Sequence, residues 1–198
     1  MEFSEVLRRR RMVRHYTVQP LEDAVVERIV ASALRAPSAG FTQGWAFLVL
    51  TEPAERQRFW EFVPARVERT PSMPDAPLVI VPMAHKKAYL ERYAEPDKGW
   101  TDRDENRWPA PYWHIDTGMA ALAVLLTAVD EGLGACFFGI MPEQLDGFRA
   151  EFGIPAEFAP IGAITVGYPA PGQPPARFEH RRRPLGDVVH RGFWGNRW

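Results

Sequence analysis

Four consecutive arginines, Arg8 to Arg11, stand near the start of the chain and are followed by Met12, Val13 and Arg14. A second basic run, His180-Arg181-Arg182-Arg183-Pro184, stands near its end. A guanidinium presents its N–H donors as a planar fork that matches two oxygens of a phosphate. If the fold brings the two ends together, both runs converge on one anion, and the chemistry is that of a phosphorylated cofactor. Taken singly, each run also has the look of a solvated helix end or surface tail, where Arg in a last turn favours the helix dipole.

Between the runs lies Ala36-Pro37-Ser38-Ala39-Gly40-Phe41-Thr42-Gln43-Gly44-Trp45. A Pro-Ser-Ala-Gly turn leading to Gln43 and an apolar strand presents backbone amides and a polar side chain beside a sheet, although an ordinary helix-to-strand connection has the same make-up. Cys136 sits in an apolar segment, where a free cysteine behaves as a small buried hydrophobe. His114, Asp116 and the other histidines lack metal-ligand spacing, so no metal site is expected. Trp108, Tyr112 and Trp113 fit either an aromatic wall over a substrate or an anchor for the segment that carries them.

The elements that must position these residues follow from apolar periodicity. Helices are expected over Ser4 to Arg11, from Pro20 to Pro37, over Pro53 to Val67, over Trp113 to Glu131 and over Pro142 to Phe152; strands over Trp45 to Thr51, Leu78 to Met83, Ala135 to Ile140 and Ile161 to Val166. Residues 84–112 show no clean period and read as an irregular insert or lid, with a helical stretch possible around Lys86 to Ala94. The helix from Trp113 is apolar nearly all round over Gly118 to Val129, so it needs covering on every face, most easily by a second subunit. Its apolar stretch of about twelve residues is short of the ~20 a membrane span needs. The tail, residues 169–198, ends in Phe193, Trp194 and Trp198, too aromatic for full exposure and suited to wrapping a partner. Neither a repeat nor a linker interrupts the chain, so residues 1–198 read as one α+β domain.

Composition narrows the class. The chain has 198 residues, 46% hydrophobic, enough for one domain with a core. Its 24 basic and 25 acidic residues leave a net charge of −1, which argues against nucleic acid or an anionic membrane as partner. One cysteine and a first segment without a signal-like apolar run fit a cytoplasmic protein.

In this order the motifs resemble the nitroreductase family of FMN-dependent oxidoreductases. Arg10-Arg11-Met12-Val13-Arg14-His15-Tyr16 is similar to that family's opening Arg-Arg-Ser-x-Arg-x-Phe. Ala36 to Trp45 resembles its Ala-Pro-Ser-x-x-Asn-x-Gln-Pro-Trp, and Gly132-Leu133-Gly134, the strand from Ala135 and Gly167-Tyr168-Pro169 look like later family motifs. Arg182 with Pro184-Leu185 resembles the closing basic motif. The likeness covers nearly the whole chain except the insert. It implies a mixed sheet flanked by helices, a long central buried helix, an extended C-terminal tail and a homodimer. It implies FMN as cofactor, NADH or NADPH as electron donor and a small conjugated acceptor such as a nitroaromatic or quinone.

The resemblance also implies residue roles. Arg10, Arg11 and Arg14 would bind FMN with Arg182 closing on the phosphate, and Arg14 would reach the pyrimidine edge of the ring. Pro37, Ser38, Ala39, Gly40 and Gln43 would line the ring, from the partner subunit. Backbone around Phe137, Phe138 and Gly139 would sit by its hydride-accepting nitrogen. Met12 stands at the cofactor where the family has Ser, Phe41 where it has Asn, and Gly44 where it has Pro. Phe41, with Trp108, Tyr112 and Trp113, would shape the substrate pocket. No side chain is singled out as acid or base. Because of these departures, two alternatives stand beside a reductase: a specialised flavoenzyme of the same fold (dehalogenase, ring dehydrogenase or flavin-fragmenting enzyme) and a non-catalytic flavin- or deazaflavin-binding protein.

Overall fold

A computed structural model describes residues 1–172 and 179–198. A sheet of five strands carries the fold: β1 (Trp45–Leu50), β2 (Leu78–His85), β3 (Gly134–Phe138), β4 (Phe158–Pro160) and β5 (Ala163–Gly167). The order is β1-β2-β5-β3, with β4 also paired to β2. Every ladder is antiparallel, with Leu50 opposite Val79, Ile80 opposite Ile164 and Phe137 opposite Ile164. The parallel part of the expected mixed sheet is therefore confined to one isolated bridge, Met12 with Ala135. The chain reaches that bridge in the extended stretch that follows its first helix, α1 (Phe3–Arg9).

The sheet is buried on both faces, which is why β2 reads as an unbroken apolar run. Successive side chains point to opposite faces. Leu78, Ile80, Ala135, Ile164 and Val166 meet Ile29 and Ala33 of α2 (Asp23–Ala33) and Val124 and Ala128 of the long helix. Val79, Val81, Cys136, Phe138 and Ala163 meet Phe59, Trp60 and Phe148 on the other side. The result is three layers, helix on sheet on helix.

The elements depart from the sequence reading in three places. The expected helix Pro53 to Val67 is two, α3 (Pro53–Trp60) and α4 (Pro64–Arg69), because Pro64 cannot donate into a continuing helix and its fixed φ suits a first helical position. Strand β2 runs on past Met83 to His85, into the expected insert, and α5 (Lys86–Ala94) follows at once where the helical stretch was expected, with Tyr89 and Tyr93 four residues apart on one face. The short strand β4 was not expected. The remaining helices are α1 (Phe3–Arg9), α6 (Tyr112–Asp130) and α7 (Leu145–Glu151).

At 19 residues and mean hydropathy 1.3, α6 is long and apolar enough to cross a membrane, unlike the twelve-residue stretch read from sequence. Its fully buried residues, Ala120, Val124 and Ala128 among them, pack in the core instead. It keeps one open stripe: Ile115, Met119 and Leu122 are 42%, 36% and 46% exposed. Within the expected tail, residues 173–178 lie outside the described residues. The last segment folds back on itself through a bridge between His190 and Arg197, and Phe193, Trp194 and Trp198 are exposed.

Candidate functional site

The two basic runs meet. A cleft of roughly 1040 Å³ is lined by Arg8, Arg9, Arg10 and Arg11 from the end of α1, by Arg182 from the tail, and by Gly132, Leu133 and Gly134 from the turn after α6. The turn exists because Gly132 takes a φ of +75°, a left-handed conformation suited to glycine just past a helix end. Gly134 is required by close approach: a Cβ there would lie 2.7 Å from Val13. Val13 in turn donates its N–H to Ala135 O at 2.9 Å, so the arginine segment is tied to β3.

Arg8 and Arg9 line the cleft as well, but Glu5 engages both. Arg8 grips its carboxylate with two bonds of 2.7 and 2.6 Å, and Arg9 adds a third. These contacts hold the Glu5 carboxyl down to about 2. Arg183 donates to Asp187 O at 2.8 Å and is not in the lining. Arg14 is also outside the lining; half-buried, it sets its Nη1 3.4 Å from Met12 O. Met12, in the place of a serine, puts its sulfur 3.4 Å from the Phe137 N–H and accepts a weak hydrogen bond from it.

The segment 36–44 is a strained turn clamped from beneath. Gly40, Phe41 and Gln43 have φ of +61°, +54° and +52°, and the last two are costly for residues with a Cβ. Ser38 Oγ accepts from Gln43 N at 2.9 Å. Ala39 N donates to Asp116 Oδ2 at 2.8 Å, and Tyr89 OH donates to the same oxygen at 2.7 Å. Burial and that carboxylate push the Tyr89 hydroxyl well above its ordinary pKa. Arg92 Nε donates to Gly40 O at 3.0 Å while its other nitrogens hold Asp97. The ring of Tyr89 fills the space that a Cβ on Gly44 would need, at 2.4 Å, which accounts for glycine there. Pro37 and Gln43 are exposed, and Phe41 is 76% exposed. None of residues 36–44 lines the arginine cleft of the same chain.

Asp116 and Tyr89 were not among the residues expected at the site. The signal lay in Asp116 itself, an acidic residue inside an apolar helix whose other acidic residue, Asp130, is at its last position, because a buried carboxylate demands donors.

The other expected residues separate by burial. The Phe138 side chain lies in the core, stacked on Trp60 at 11° with the Arg66 guanidinium 5.1 Å from its ring, so only its backbone is available to a site. Gly139 is exposed and Phe137 half-buried. Trp108 sits at the centre of five rings, with centroids 4.5 to 6.0 Å away on Tyr89, Tyr93, Trp100, Tyr112 and Trp113. Through these rings it anchors the insert. Trp113 packs on Tyr89 and beneath Lys86, while Tyr112 is 37% exposed. Burial pushes the Cys136 thiol up. Among the described residues, no three His, Cys, Asp or Glu side chains group as a metal site would require.

The sequence profile of the nitroreductase family matches residues 7–168. A candidate NADH dehydrogenase/NAD(P)H nitroreductase of Archaeoglobus fulgidus is 27% identical over 188 residues, covering 93% of this chain and 94% of that protein. Among solved structures, the nitroreductase family protein of Streptococcus pneumoniae TIGR4 superposes with a TM-score of 0.75 at 19% identity, over 96% of this chain and 100% of that one. A candidate nitroreductase of Exiguobacterium sibiricum 255-15, solved in complex with FMN, gives 0.74 at 19% identity, over 96% of each chain. At 19% identity these two structures establish the shared fold alone.

Proposed function

The chain belongs to the nitroreductase family, and on that premise we propose that it is an FMN-dependent oxidoreductase passing electrons from NADH or NADPH to a small conjugated acceptor such as a nitroaromatic or a quinone. The observation that carries this reading is the meeting of Arg10 and Arg11 with Arg182 in one cleft. Residues some 170 positions apart in sequence contribute guanidinium groups to one concave surface, the donor chemistry a flavin phosphate needs. The cleft volume lies at the upper end of the range for cofactor sites.

When bound, FMN supplies a two-electron carrier between the nicotinamide and the acceptor. The chain's own residues bind and orient. Arg10 and Arg11, just past the end of α1, would hold the phosphate, with Arg182 closing on it from the tail. Arg14 would serve the pyrimidine edge of the ring, where a fixed cation would stabilise negative charge. The backbone of Phe137 to Gly139 would serve the ring's reactive nitrogen, and Met12 occupies the Phe137 N–H in place of a hydroxyl. Pro37 to Gly40 and Gln43 serve the cleft of a partner subunit, in keeping with their absence from the lining of their own. Phe41, exposed beside them, offers an aromatic face to the acceptor. The working form is a homodimer, supported by the open apolar stripe on α6, and a cytoplasmic location suits the single buried cysteine.

The test is the absorbance spectrum of the purified protein, followed by anaerobic titration with NADH and NADPH. A flavin band bleached by one of the two is expected. Colourless protein that gains no flavin band on adding FMN refutes the reading.

A further inference from the structure

We propose that Asp116 is the positioning residue of the cofactor loop, its buried carboxylate pinning Ala39 and, through Tyr89, fixing the strained turn Gly40 to Gly44 against α5. The proposal rests on the reading of segment 36–44 as a flavin-lining loop. Asp116 is 1% exposed and Tyr89 fully buried, so neither touches solvent or acceptor. One oxygen, Asp116 Oδ2, joins three pieces of the fold: α6, α5 and the loop. An N–H or O–H bound to an ionised acceptor makes a stronger bond than a neutral pair, and inside a protein it is strengthened further. That strength has a local use. Two residues with side chains, Phe41 and Gln43, sit in the left-handed region within five residues of Ala39. Such a conformation persists only where its surroundings over-determine it. Asp116 and Arg92 grip the turn at two consecutive residues, through Ala39 N and Gly40 O.

Three variants test this: Asp116→Leu, which keeps the size and removes the acceptor; Asp116→Asn, which keeps one acceptor oxygen; and Tyr89→Phe, which removes one donor only. Two quantities are read for each: hydrogen exchange of the Ala39 amide in FMN-free protein, and the dissociation constant for FMN. Asp116→Leu is expected to speed Ala39 exchange and weaken FMN binding, each by about 10- to 100-fold, the equivalent of one hydrogen bond to a charged group. Asp116→Asn should recover part of both, and Tyr89→Phe should weaken FMN by about 2- to 10-fold. A purely structural residue would give no such rescue and no change confined to Ala39. Wild-type protein that binds FMN beside an Asp116→Leu variant of equal affinity or equal Ala39 exchange overturns the proposal alone. Wild-type protein that binds no FMN overturns the flavin reading and the proposal with it. If Asp116→Leu fails to fold, Asp116→Asn and Tyr89→Phe decide: wild-type behaviour in both overturns the proposal.

Discussion

Replacing Gly44 by alanine isolates how tightly the loop is built onto α5. Gly44 is not in the left-handed region, so its backbone accepts an alanine and any cost is one of space. The added Cβ would sit 2.4 Å from Tyr89 Cε2, 2.9 Å from Cδ2 and 3.1 Å from His85 O. The ring cannot swing away, because its hydroxyl is bound to Asp116 at 2.7 Å and it packs in T-shaped contacts with Trp108 and Trp113. The backbone cannot retreat freely either, because His85 N donates to Gly44 O at 2.9 Å and continues the β1–β2 ladder. Overpacking of this kind costs about 1–3 kcal/mol. In a chain of this size that corresponds to a fall in Tm of roughly 2–12 °C. Differential scanning calorimetry on FMN-free protein measures it. Tyr89→Val removes the clashing ring atoms, so in that background Gly44→Ala should cost less than about 0.5 kcal/mol, the usual limit of additivity error. A Gly44→Ala protein as stable as wild type, or one equally destabilised in both backgrounds, refutes the reasoning.

Burial pushes both Tyr16 and Tyr89 well above the ordinary value of 10. Their stabilising contribution is complete below pH 10 and is lost as pH rises further, because only the unfolded chain then releases those protons. Alkaline titration followed by tyrosinate absorbance and circular dichroism together should show these two ionising with unfolding, not before it; ionisation in the folded protein contradicts the burial argument. The Cys136 thiol, raised by burial, should resist iodoacetamide at pH 8 in native protein and react once the chain is unfolded, as mass spectrometry would record. Arg182→Ala should weaken FMN binding by about 10- to 100-fold, read by fluorescence titration, whereas Arg183→Ala, outside the cleft lining, should leave it unchanged. Leu122→Glu on the open stripe of α6 should shift the mass from dimer to monomer in light scattering, and an unshifted dimer would move the interface elsewhere.

The chain displayed some of this plainly and hid the rest for physical reasons. The run Leu78 to Val81 announced a central strand because both faces are buried and no polar residue breaks it. The arginine runs were visible because charge clusters in sequence, and only the fold could show that Arg8 and Arg9 share the cleft while Arg14 lies outside its lining. The strand Phe158–Pro160 is three residues long and owes its existence to β2, whose Met83 faces Pro160, so no local pattern could announce it. Trp108 could not be assigned from sequence, because a wall and an anchor have the same composition and differ only in which rings lie around it. Asp116 was the most informative residue overlooked, since its bond to Ala39 N spans 77 positions.

Helix α6 ties these observations together. Its inner face supplies Val124 and Ala128 to the core, and its C-terminal turn delivers Gly132 to Gly134 to the arginine cleft. In its first turns Ile115 faces outward while Asp116, the next residue, faces inward to Ala39. The proposed subunit contact and the proposed loop anchor are thus adjacent residues on one rigid element. If the loop serves the partner's cleft, cofactor binding and dimer formation draw on the same helix and must be linked: each strengthens the other by the same free energy. Such linkage gives the length and apolar character of α6 a role beyond filling the core. It also accounts for a strained, exposed turn being held by buried bonds, since a loop that completes another subunit's site must keep its shape before the partner arrives.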